Sequence, residues 1–381
     1  MVHHDFYVFV NQDFESRIRG GHNFDQVRIS NTPVRAAAGQ VHILIALDEV
    51  TTGQDIDCLA ENGVLLFDGE TTGFKSDNPN HLSVPFTRIA AEAGKSKIMI
   101  NAVATGAATA LLDFKLQPVL DCIQEQFEQK GAGMIEKNQK SAAAGYDFVR
   151  QNLKAGPPFR VPSAKAVRRK MLLTGSQAMA LGAMASGLKF YSGYPMSPAT
   201  TIMEFVSTQA DTYNIVLEQA EDEIAAINMV IGASFAGARA MTATSGGGFC
   251  LMVEALSLAG MTETPVVIVV AQRPGPSTGL PTRTEQADLN LVMHAGHGDF
   301  PRAILAPGSP EQALSLMSKA FNLADTYQTP VIVLGDQHFG DAYFTVDEFD
   351  LGGITLDRGH VLTNQDLPSP LEYKRYAPGK S

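Results

Sequence analysis

Cysteine is scarce in this chain of 381 residues. Its three cysteines, Cys58, Cys122 and Cys250, are far apart and include no Cys-x-x-Cys pair. Such cysteines exclude a disulfide framework, and they cannot build a zinc or iron–sulfur site from this chain alone. We therefore expect no metal site in this chain and a reducing, cytoplasmic compartment.

Long apolar runs and an excess of basic residues are also missing. No run of about 18 apolar residues occurs, so no transmembrane helix is expected, and the N-terminus does not resemble a secretory signal. The 29 basic and 40 acidic residues give a net charge of −11. A field of that sign repels phosphate backbones and anionic lipid, so we expect neither nucleic-acid nor membrane binding.

The composition and length indicate a globular chain of two or three domains. Hydrophobic residues make up 45% and charged residues 18%. The stretch AGPPFRVP has three prolines within six residues, which predicts an extended connector. The predicted divisions are a first domain over 1–155, a Pro-rich linker over 156–165, a second domain over 166–350 and a C-terminal arm over 351–381.

Short apolar runs alternate with helical patterns on both sides of that connector. Continuous Val/Ile/Leu runs of this kind predict buried parallel strands covered on both faces. The fold class is therefore α/β, with two three-layer domains and mainly parallel sheets. The predicted strands are 6–10, 41–48, 63–68, 97–102, 190–194, 238–245, 266–272, 302–306 and 331–336.

Polar loops follow several of the predicted strands between residues 194 and 288. Open parallel sheets bind ligands at the carboxyl ends of their strands, so these loops are the candidate site. A Pro-fixed turn, helix-capping carboxylates and an ordinary Gly-rich turn are the alternatives for the first three of them. The four loops contain, in order, YPMSP (194–198), EQAEDE (218–223), TSGGGF (244–249) and QRPGPSTGLPTRTEQ (272–286).

Four long blocks around these loops carry a resemblance to a known family. They read GSQAMALGAMASGLKFYSGYPMSP, EQAEDEIAAINMVIGASFAGARAMTATSGGGF, RPGPSTGLPTRTEQADL and HAGHGDFPRAILAP. In this order they resemble the α subunit of 2-oxoacid:ferredoxin oxidoreductases, most closely the 2-oxoglutarate type. An earlier segment, SRIRGGHNFDQVRIS, resembles the γ domain that is fused ahead of the α module in that family.

The resemblance implies a γ-type domain, without its usual N-terminal start, followed by a thiamine-diphosphate-binding pyrimidine domain. Glu221 would be the carboxylate that hydrogen-bonds N1′ of the aminopyrimidine, where it promotes proton transfer. Arg273 would clamp the substrate carboxylate. The other implied contacts are Ser197 and Thr282 for substrate, and Tyr194, Pro195, Gly246 and Gly247 for the cofactor.

The same resemblance implies partners that complete the active site. This chain lacks the Gly-Asp-Gly…Asn segment that holds Mg²⁺ and the diphosphate, and it lacks a cysteine cluster. A β subunit carrying Mg²⁺ and a [4Fe-4S] cluster is therefore implied, in an α₂β₂ assembly that passes electrons to ferredoxin and transfers the acyl group to coenzyme A. The usual Thr-Ser-Gly-Pro-Gly pattern is changed here, because Gly247 replaces proline.

Two functional alternatives stay open from the sequence. The same chemistry could act on pyruvate, branched-chain 2-oxoacids or indolepyruvate instead of 2-oxoglutarate. A second arginine in the long loop, Arg283, would either meet a distal substrate carboxylate or face solvent. The alternative of another class is a non-catalytic assembly or regulatory subunit.

Arg17 and Arg19 form the last candidate site. They stand beside two glycines in the loop SRIRGGH. Two arginines next to such a turn can form an anion-binding concavity, which would receive the phosphates of coenzyme A or the substrate's negative charge. The alternative is an ordinary surface loop.

Overall fold

The chain forms two compact units. The computed structural model describes residues 1–2, 5–16, 18, 20–153, 156–161, 169–359 and 374–377. Residues 1–37 and 166–381 form one unit, called the large unit below, and residues 38–165 form the small unit.

Thirteen strands and fourteen α-helices occur in the described ranges. The strands are β1 (Tyr7–Asp13), β2 (Phe24–Ser30), β3 (Val41–Ala46), β4 (Leu59–Phe67), β5 (His81–Ser83), β6 (Lys170–Thr174), β7 (Phe190–Gly193), β8 (Val216–Gln219), β9 (Ala240–Thr244), β10 (Val266–Gln272), β11 (Ala303–Leu305), β12 (Pro330–Asp336) and β13 (Tyr343–Asp347). The helices are α1 (Glu49–Gln54), α2 (Gly69–Thr72), α3 (Phe86–Ala93), α4 (Ile100–Leu111), α5 (Gln117–Phe127), α6 (Ala132–Asn152), α7 (Gly175–Ala185), α8 (Thr200–Tyr213), α9 (Glu223–Phe235), α10 (Gly246–Leu251), α11 (Val253–Met261), α12 (Leu289–His294), α13 (Pro310–Tyr327) and α14 (Gln337–Asp341). Short 3₁₀ turns cover Ile56–Cys58, Lys97–Met99, Glu128–Lys130 and Leu351–Gly353.

A six-stranded parallel sheet forms the centre of the large unit, in the order β11-β12-β10-β9-β7-β8. Successive residues of β10 enter two different cores, because side chains alternate across a strand. Val267 and Val269 pack in the core that contains α7, α8 and α13, whereas Ile268 and Val270 pack in the core that contains α9 and α11. The predicted three-layer α/β arrangement with a parallel sheet is therefore confirmed for this unit.

A second, antiparallel sheet in the large unit was not predicted. Its order is β2-β1-β13-β6, with Phe9 opposite Phe344. The side chain of Thr345 also bonds β1, since its hydroxyl accepts from the Val8 amide at 2.9 Å and donates to the Val8 carbonyl. Because this pairing joins residues more than 330 positions apart, no local pattern could indicate it.

The compact units differ from the predicted domain boundaries. The first predicted domain covered 1–155, but residues 1–37 group with the chain after 165, since β1 pairs with β13. Within the predicted linker, residues 156–161 are described and 162–165 lie outside the described ranges. Much of the predicted C-terminal arm, 360–373 and 378–381, also lies outside them.

The small unit contains a three-stranded parallel sheet in the order β3-β4-β5. Helices α3, α4 and α6 cover one face of this sheet, and a smaller apolar cluster around Leu65 and Phe67 covers the other. Helices α5 and α6 precede the connector, and the chain between them turns at Gly131, whose φ of +87° favours glycine.

The predicted strand at 97–102 is wrong. These residues form the 3₁₀ turn Lys97–Met99 and the first turn of α4. The run KIMINA has the length of a strand, but a short apolar run does not distinguish a strand from a helix. The alanine-rich sequence that follows extends it as a helix, in which Val103, Ala107 and Leu111 pack in the core of the small unit.

Two glycines allow α4 and α6 to pack in direct backbone contact. A Cβ on Gly145 would collide with the Val103 carbonyl, and a Cβ on Gly106 would collide with the Ala142 carbonyl. Neither obstacle is a flexible side-chain end, so the helices would have to move apart. Overpacking of this kind costs about 1–3 kcal/mol.

We therefore expect Gly145→Ala to lower the free energy of unfolding by about 1–3 kcal/mol. Gly133→Ala is the matched control on the same helix, since nothing lies within 4 Å of a Cβ there. Its replacement should be neutral or stabilising by up to about 1 kcal/mol. Urea unfolding followed by circular dichroism measures both, and equal effects of the two substitutions would contradict the packing argument.

No helix in the described ranges is both long and apolar enough to cross a membrane.

Candidate active site

The four polar loops meet at one edge of the parallel sheet in the large unit. Strands β10, β9, β7 and β8 are consecutive neighbours in the sheet. The loops 194–198, 220–222, 245–248 and 273–288 leave their carboxyl ends. This is the edge at which open parallel sheets bind ligands.

A buried glutamate opens helix α9 at this edge. Asp222 is the N-cap, and its carboxylate accepts from the Ala225 amide at 2.7 Å. The next residue, Glu223, is only 3% exposed, and its Oε1 has no hydrogen-bond partner among the described residues. Glu221, the glutamate predicted from the sequence, is exposed. The structure therefore does not place Glu221 among the buried groups of the site.

The direction of Glu223 follows from the periodicity of α9. Ile227, Val230 and Ile231 pack in the core on the same buried side of the helix as Glu223. Ile224, the residue after Glu223, is 50% exposed and lies on the other side. The sequence would have indicated Glu223 if Asp222 had been recognised as the N-cap. Residues four and seven positions after Glu223 then lie on the same helix face as Glu223, and both are apolar.

Glycine at position 248 makes room for this carboxylate. A Cβ on Gly248 would lie 2.6 Å from Glu223 Oε1 and would collide with the Thr244 hydroxyl. Gly248 belongs to the glycine turn, defined here as Gly246–Gly248, which begins α10. The bare backbone of this turn therefore forms one wall beside the unpartnered oxygen.

The loop after β10 folds over the same turn. A Cβ on Gly246 would collide with the Asp288 carboxylate, and a Cβ on Gly247 would lie 3.2 Å from the Ser277 carbonyl. Asp288 Oδ2 is buried without a hydrogen-bond partner among the described residues. Burial raises the pKa of Asp288, and the nearby charge of Glu285 raises it further. A second carboxyl group thus lies against the glycine turn, and sequence reasoning missed it.

Arg273 lies in the same group as Glu223. It is 8% exposed, and its Nη1 donates to the Ser197 carbonyl at 2.5 Å. Burial lowers the pKa of the Arg273 guanidinium, while the charge of Glu223 acts in the opposite direction. The structure therefore brings together two predicted site residues, Arg273 and Ser197, with a carboxylate two positions beyond the predicted one.

Met196 packs between these loops. Its sulfur accepts from the Ser245 hydroxyl at 2.6 Å, and the Thr244 hydroxyl lies 3.8 Å away. A polarizable thioether tolerates such irregular surroundings. This contact connects the loop after β7 to the residue that precedes the glycine turn.

Thr282 and Arg283 are not in this group. The Thr282 hydroxyl donates to the Glu15 carbonyl at 3.2 Å, and Arg283 forms an ion pair with Asp13 at 2.5 Å. Both predicted substrate contacts thus bind the N-terminal hairpin, which is made of β1 and β2. No local sequence signal indicates these partners.

The remaining predicted residues lie at the margin or outside the described ranges. Tyr194 is 40% exposed and Pro195 is partly buried, both in the loop after β7. Arg17 and Arg19 lie outside the described residues. The proposed anion-binding role of these two arginines therefore stays a prediction.

Comparison with known proteins agrees with this fold. A family described as the thiamine-diphosphate-binding part of pyruvate flavodoxin/ferredoxin oxidoreductase matches residues 181–365, which contain the whole glycine turn and α9. A second family, pyruvate ferredoxin/flavodoxin oxidoreductase, matches residues 1–148. The chain belongs to the family of 2-oxoacid:ferredoxin oxidoreductase α subunits, which confirms the resemblance seen in the sequence.

Individual relatives support the same assignment. The 2-oxoacid:ferredoxin oxidoreductase α subunit of Sulfolobus sp is 34% identical over 97% of this chain. The chain spans 66% of that relative's length. The 2-oxoglutarate synthase subunit KorA of Archaeoglobus fulgidus is 46% identical over 48% of this chain and 53% of its own.

A solved structure is also similar. It is the 2-oxoglutarate:ferredoxin oxidoreductase of Magnetococcus marinus, described as having 2-oxoglutarate, coenzyme A and succinyl-CoA bound. It superposes with a TM-score of 0.87 at 33% identity, over 96% of this chain and 64% of that one.

Proposed function

We propose that this chain is the thiamine-diphosphate-binding subunit of an enzyme that oxidatively decarboxylates a 2-oxoacid to acyl-CoA and CO₂ and passes the electrons to ferredoxin. The observation that carries the proposal is the buried, unpartnered oxygen of Glu223 beside the glycine turn and Arg273. The family to which the chain belongs supports the reaction class. We favour 2-oxoglutarate as substrate, because KorA relatives and the similar structure bear its name.

The residues present fit the aminopyrimidine half of thiamine diphosphate. An orphaned carboxylate oxygen is the partner that a ring N–H of the cofactor needs, and Gly248 leaves room for that carboxylate where a Cβ would collide with it. In this proposal Glu223 takes the role that the sequence analysis gave to Glu221. When bound, the cofactor supplies a nucleophilic carbon and an electron sink for the decarboxylation.

The side chains of this unit would contribute binding and proton transfer. Glu223 Oε1 would hold or release a proton at the ring nitrogen, and its burial keeps water from competing for that contact. Arg273 would bind the substrate carboxylate through the N–H groups that do not contact Ser197. Its burial strengthens this attraction because the surroundings have a low dielectric constant.

The other half of the site would come from a partner. Among the described residues, no group of three or more His, Cys, Asp and Glu side chains could hold a metal ion. We propose that a β subunit supplies Mg²⁺, the diphosphate contacts and a [4Fe-4S] cluster, in an α₂β₂ assembly. The α-subunit names of the relatives support a partner subunit. We further propose a cytoplasmic location, supported by three separate free cysteines.

Reconstitution with the β subunit tests the proposed function. Thiamine-dependent reduction of ferredoxin is measured with coenzyme A and, in turn, 2-oxoglutarate, pyruvate, a branched-chain 2-oxoacid and indolepyruvate. We expect the highest kcat/KM for 2-oxoglutarate. Preference for another acid would change the substrate and keep the reaction class, whereas absence of turnover on all four would favour the assembly or regulatory role.

We expect Arg273→Ala to raise KM for every 2-oxoacid and to lower kcat/KM by about 10²-fold, because a charged hydrogen bond to the substrate carboxylate is worth roughly 2–3 kcal/mol. Arg273→Lys keeps the charge but loses the fork geometry, so it should recover only part of the loss. Steady-state kinetics measure both variants. An unchanged KM in the Ala variant would show that Arg273 does not bind the substrate.

A further inference from the structure

The loop after β10 is attached to the N-terminal hairpin at two consecutive residues. Thr282 donates to the Glu15 carbonyl at 3.2 Å, and Arg283 pairs with Asp13 at 2.5 Å. The Arg283 and Asp13 side chains are 39% and 34% exposed, so this ion pair is partly shielded from solvent. The Thr282 hydroxyl and the Arg283 guanidinium, which the sequence assigned to substrate binding, therefore contact another part of the same chain.

A continuous hydrogen-bonded path leads from this attachment to the active-site arginine. The Arg283 amide donates to the Leu280 carbonyl at 3.1 Å, and the Leu280 amide donates to the Pro274 carbonyl at 3.1 Å. Pro274 directly follows Arg273. Gly279 completes the turn at a φ of +57°, where a Cβ would collide with the Pro274 carbonyl.

The other end of the path is fixed by the antiparallel sheet. Asp13 is the last residue of β1 and lies opposite Phe24 of β2. Strand β1 also pairs with β13 at Phe9 and Val10, so the strand that carries this carboxylate has a second partner three residues before Asp13. The hairpin is thus a firm support for a loop that otherwise contains glycine, proline and hydroxyl residues.

We propose that Asp13 is a positioning residue for substrate binding. Its ion pair with Arg283 holds the turn over residues 280–283, and that turn holds Pro274 and the guanidinium of Arg273 in place. The N-terminal hairpin thereby contributes to the site without contacting the substrate. This inference rests on the proposed function, in which Arg273 binds the 2-oxoacid carboxylate.

Kinetics of the assembled enzyme test the proposal through KM and kcat separately. Asp13→Asn and Arg283→Gln should each raise KM about three- to tenfold for every 2-oxoacid, with kcat within about twofold of wild type, because a misplaced binding group weakens capture of the substrate. The double variant should be no worse than either single one, since both remove the same link. Arg283 acting on a distal carboxylate would instead impair 2-oxoglutarate but not pyruvate, and Asp13→Asn would then have little effect.

Hydrogen exchange provides a readout that does not need turnover. Amides of residues 273–288 should exchange faster in both variants than in the wild-type chain, with other peptides of the large unit unchanged. Arg35→Ala is the matched control, because Arg35 joins the N-terminal segment to α13 elsewhere in the large unit, through a bidentate pair with Glu311 at 2.6 and 2.8 Å. It should alter neither KM nor exchange in the loop.

Different results would contradict the proposed function and the positioning role of Asp13. Lack of turnover by the wild-type complex would contradict the proposed function, while the exchange experiment would still test the attachment of the loop. The positioning role would be overturned if the wild-type complex is active and the Asp13→Asn variant has the same KM and the same hydrogen exchange in the loop. Arg283→Gln removes the same ion pair from the other side, so it decides the matter if the Asp13 variant does not fold.

Discussion

Replacing Glu223 by Gln should reduce turnover of the assembled enzyme by about 10²- to 10⁴-fold, the range usually contributed by a positioned acid or base. The amide keeps the size of the side chain but cannot hold or release the proton. Glu223 is 3% exposed, and its Oε1 lacks a hydrogen-bond partner among the described residues. The substitution would therefore remove a carboxylate that is available to bind the cofactor. Steady-state ferredoxin reduction measures the effect.

Glu221→Gln is the matched control for this prediction, since it makes the same chemical change two residues earlier. Its side chain is exposed, so turnover should stay within about twofold of wild type. Isothermal titration with thiamine diphosphate separates binding from chemistry in both variants. If Glu221→Gln abolished turnover and Glu223→Gln did not, the assignment based on the sequence would be restored.

The difference between these two glutamates shows what the sequence could and could not resolve. The segment EQAEDE lies at the carboxyl end of β8, which was not among the predicted strands, and only the apolar helical pattern after it is strong. Which of the three consecutive acids Glu221, Asp222 and Glu223 points inward depends on where the helix begins, and helix boundaries are the least certain part of a pattern. Side chains two residues apart on a helix differ in direction by about 200°, so a shift of two residues exchanges a side chain that faces solvent for one that faces the core.

The larger features of the parallel sheet could be predicted, since β10 and β12 are continuous apolar runs with cores on both faces. The antiparallel sheet could not, because β1 and β13 come from opposite ends of the chain. The same long-range pairing explains why the hairpin contacts of Thr282 and Arg283 could not be predicted. A polar side chain in a loop looks free in the sequence when its partner lies about 270 residues away.

Asp325, Arg239 and Arg358 form a cluster of charges in the large unit. Asp325 Oδ2 lies 2.8 Å from Arg239 Nε and 2.9 Å from Arg358 Nε. The side chains of Asp325 and Arg239 are 4% and 2% exposed. Arg239 also donates to the carbonyls of Ser186 and Asp357, so this one guanidinium connects α7, α13 and the segment after β13.

We expect Asp325→Asn to lower the free energy of unfolding of the large unit by about 3–5 kcal/mol, because it leaves a buried guanidinium without a counter-charge. Desolvation already lowers the pKa of Arg239, and the ion pair with Asp325 is the chief opposing influence. Glu311→Gln is the matched control, since its pair with Arg35 is 44% and 45% exposed and should contribute at most about 1 kcal/mol. Urea unfolding of both variants measures the difference. Equal midpoints would mean that the hydrogen bonds of Arg239 to backbone carbonyls, rather than the carboxylate charge, stabilise it in the core.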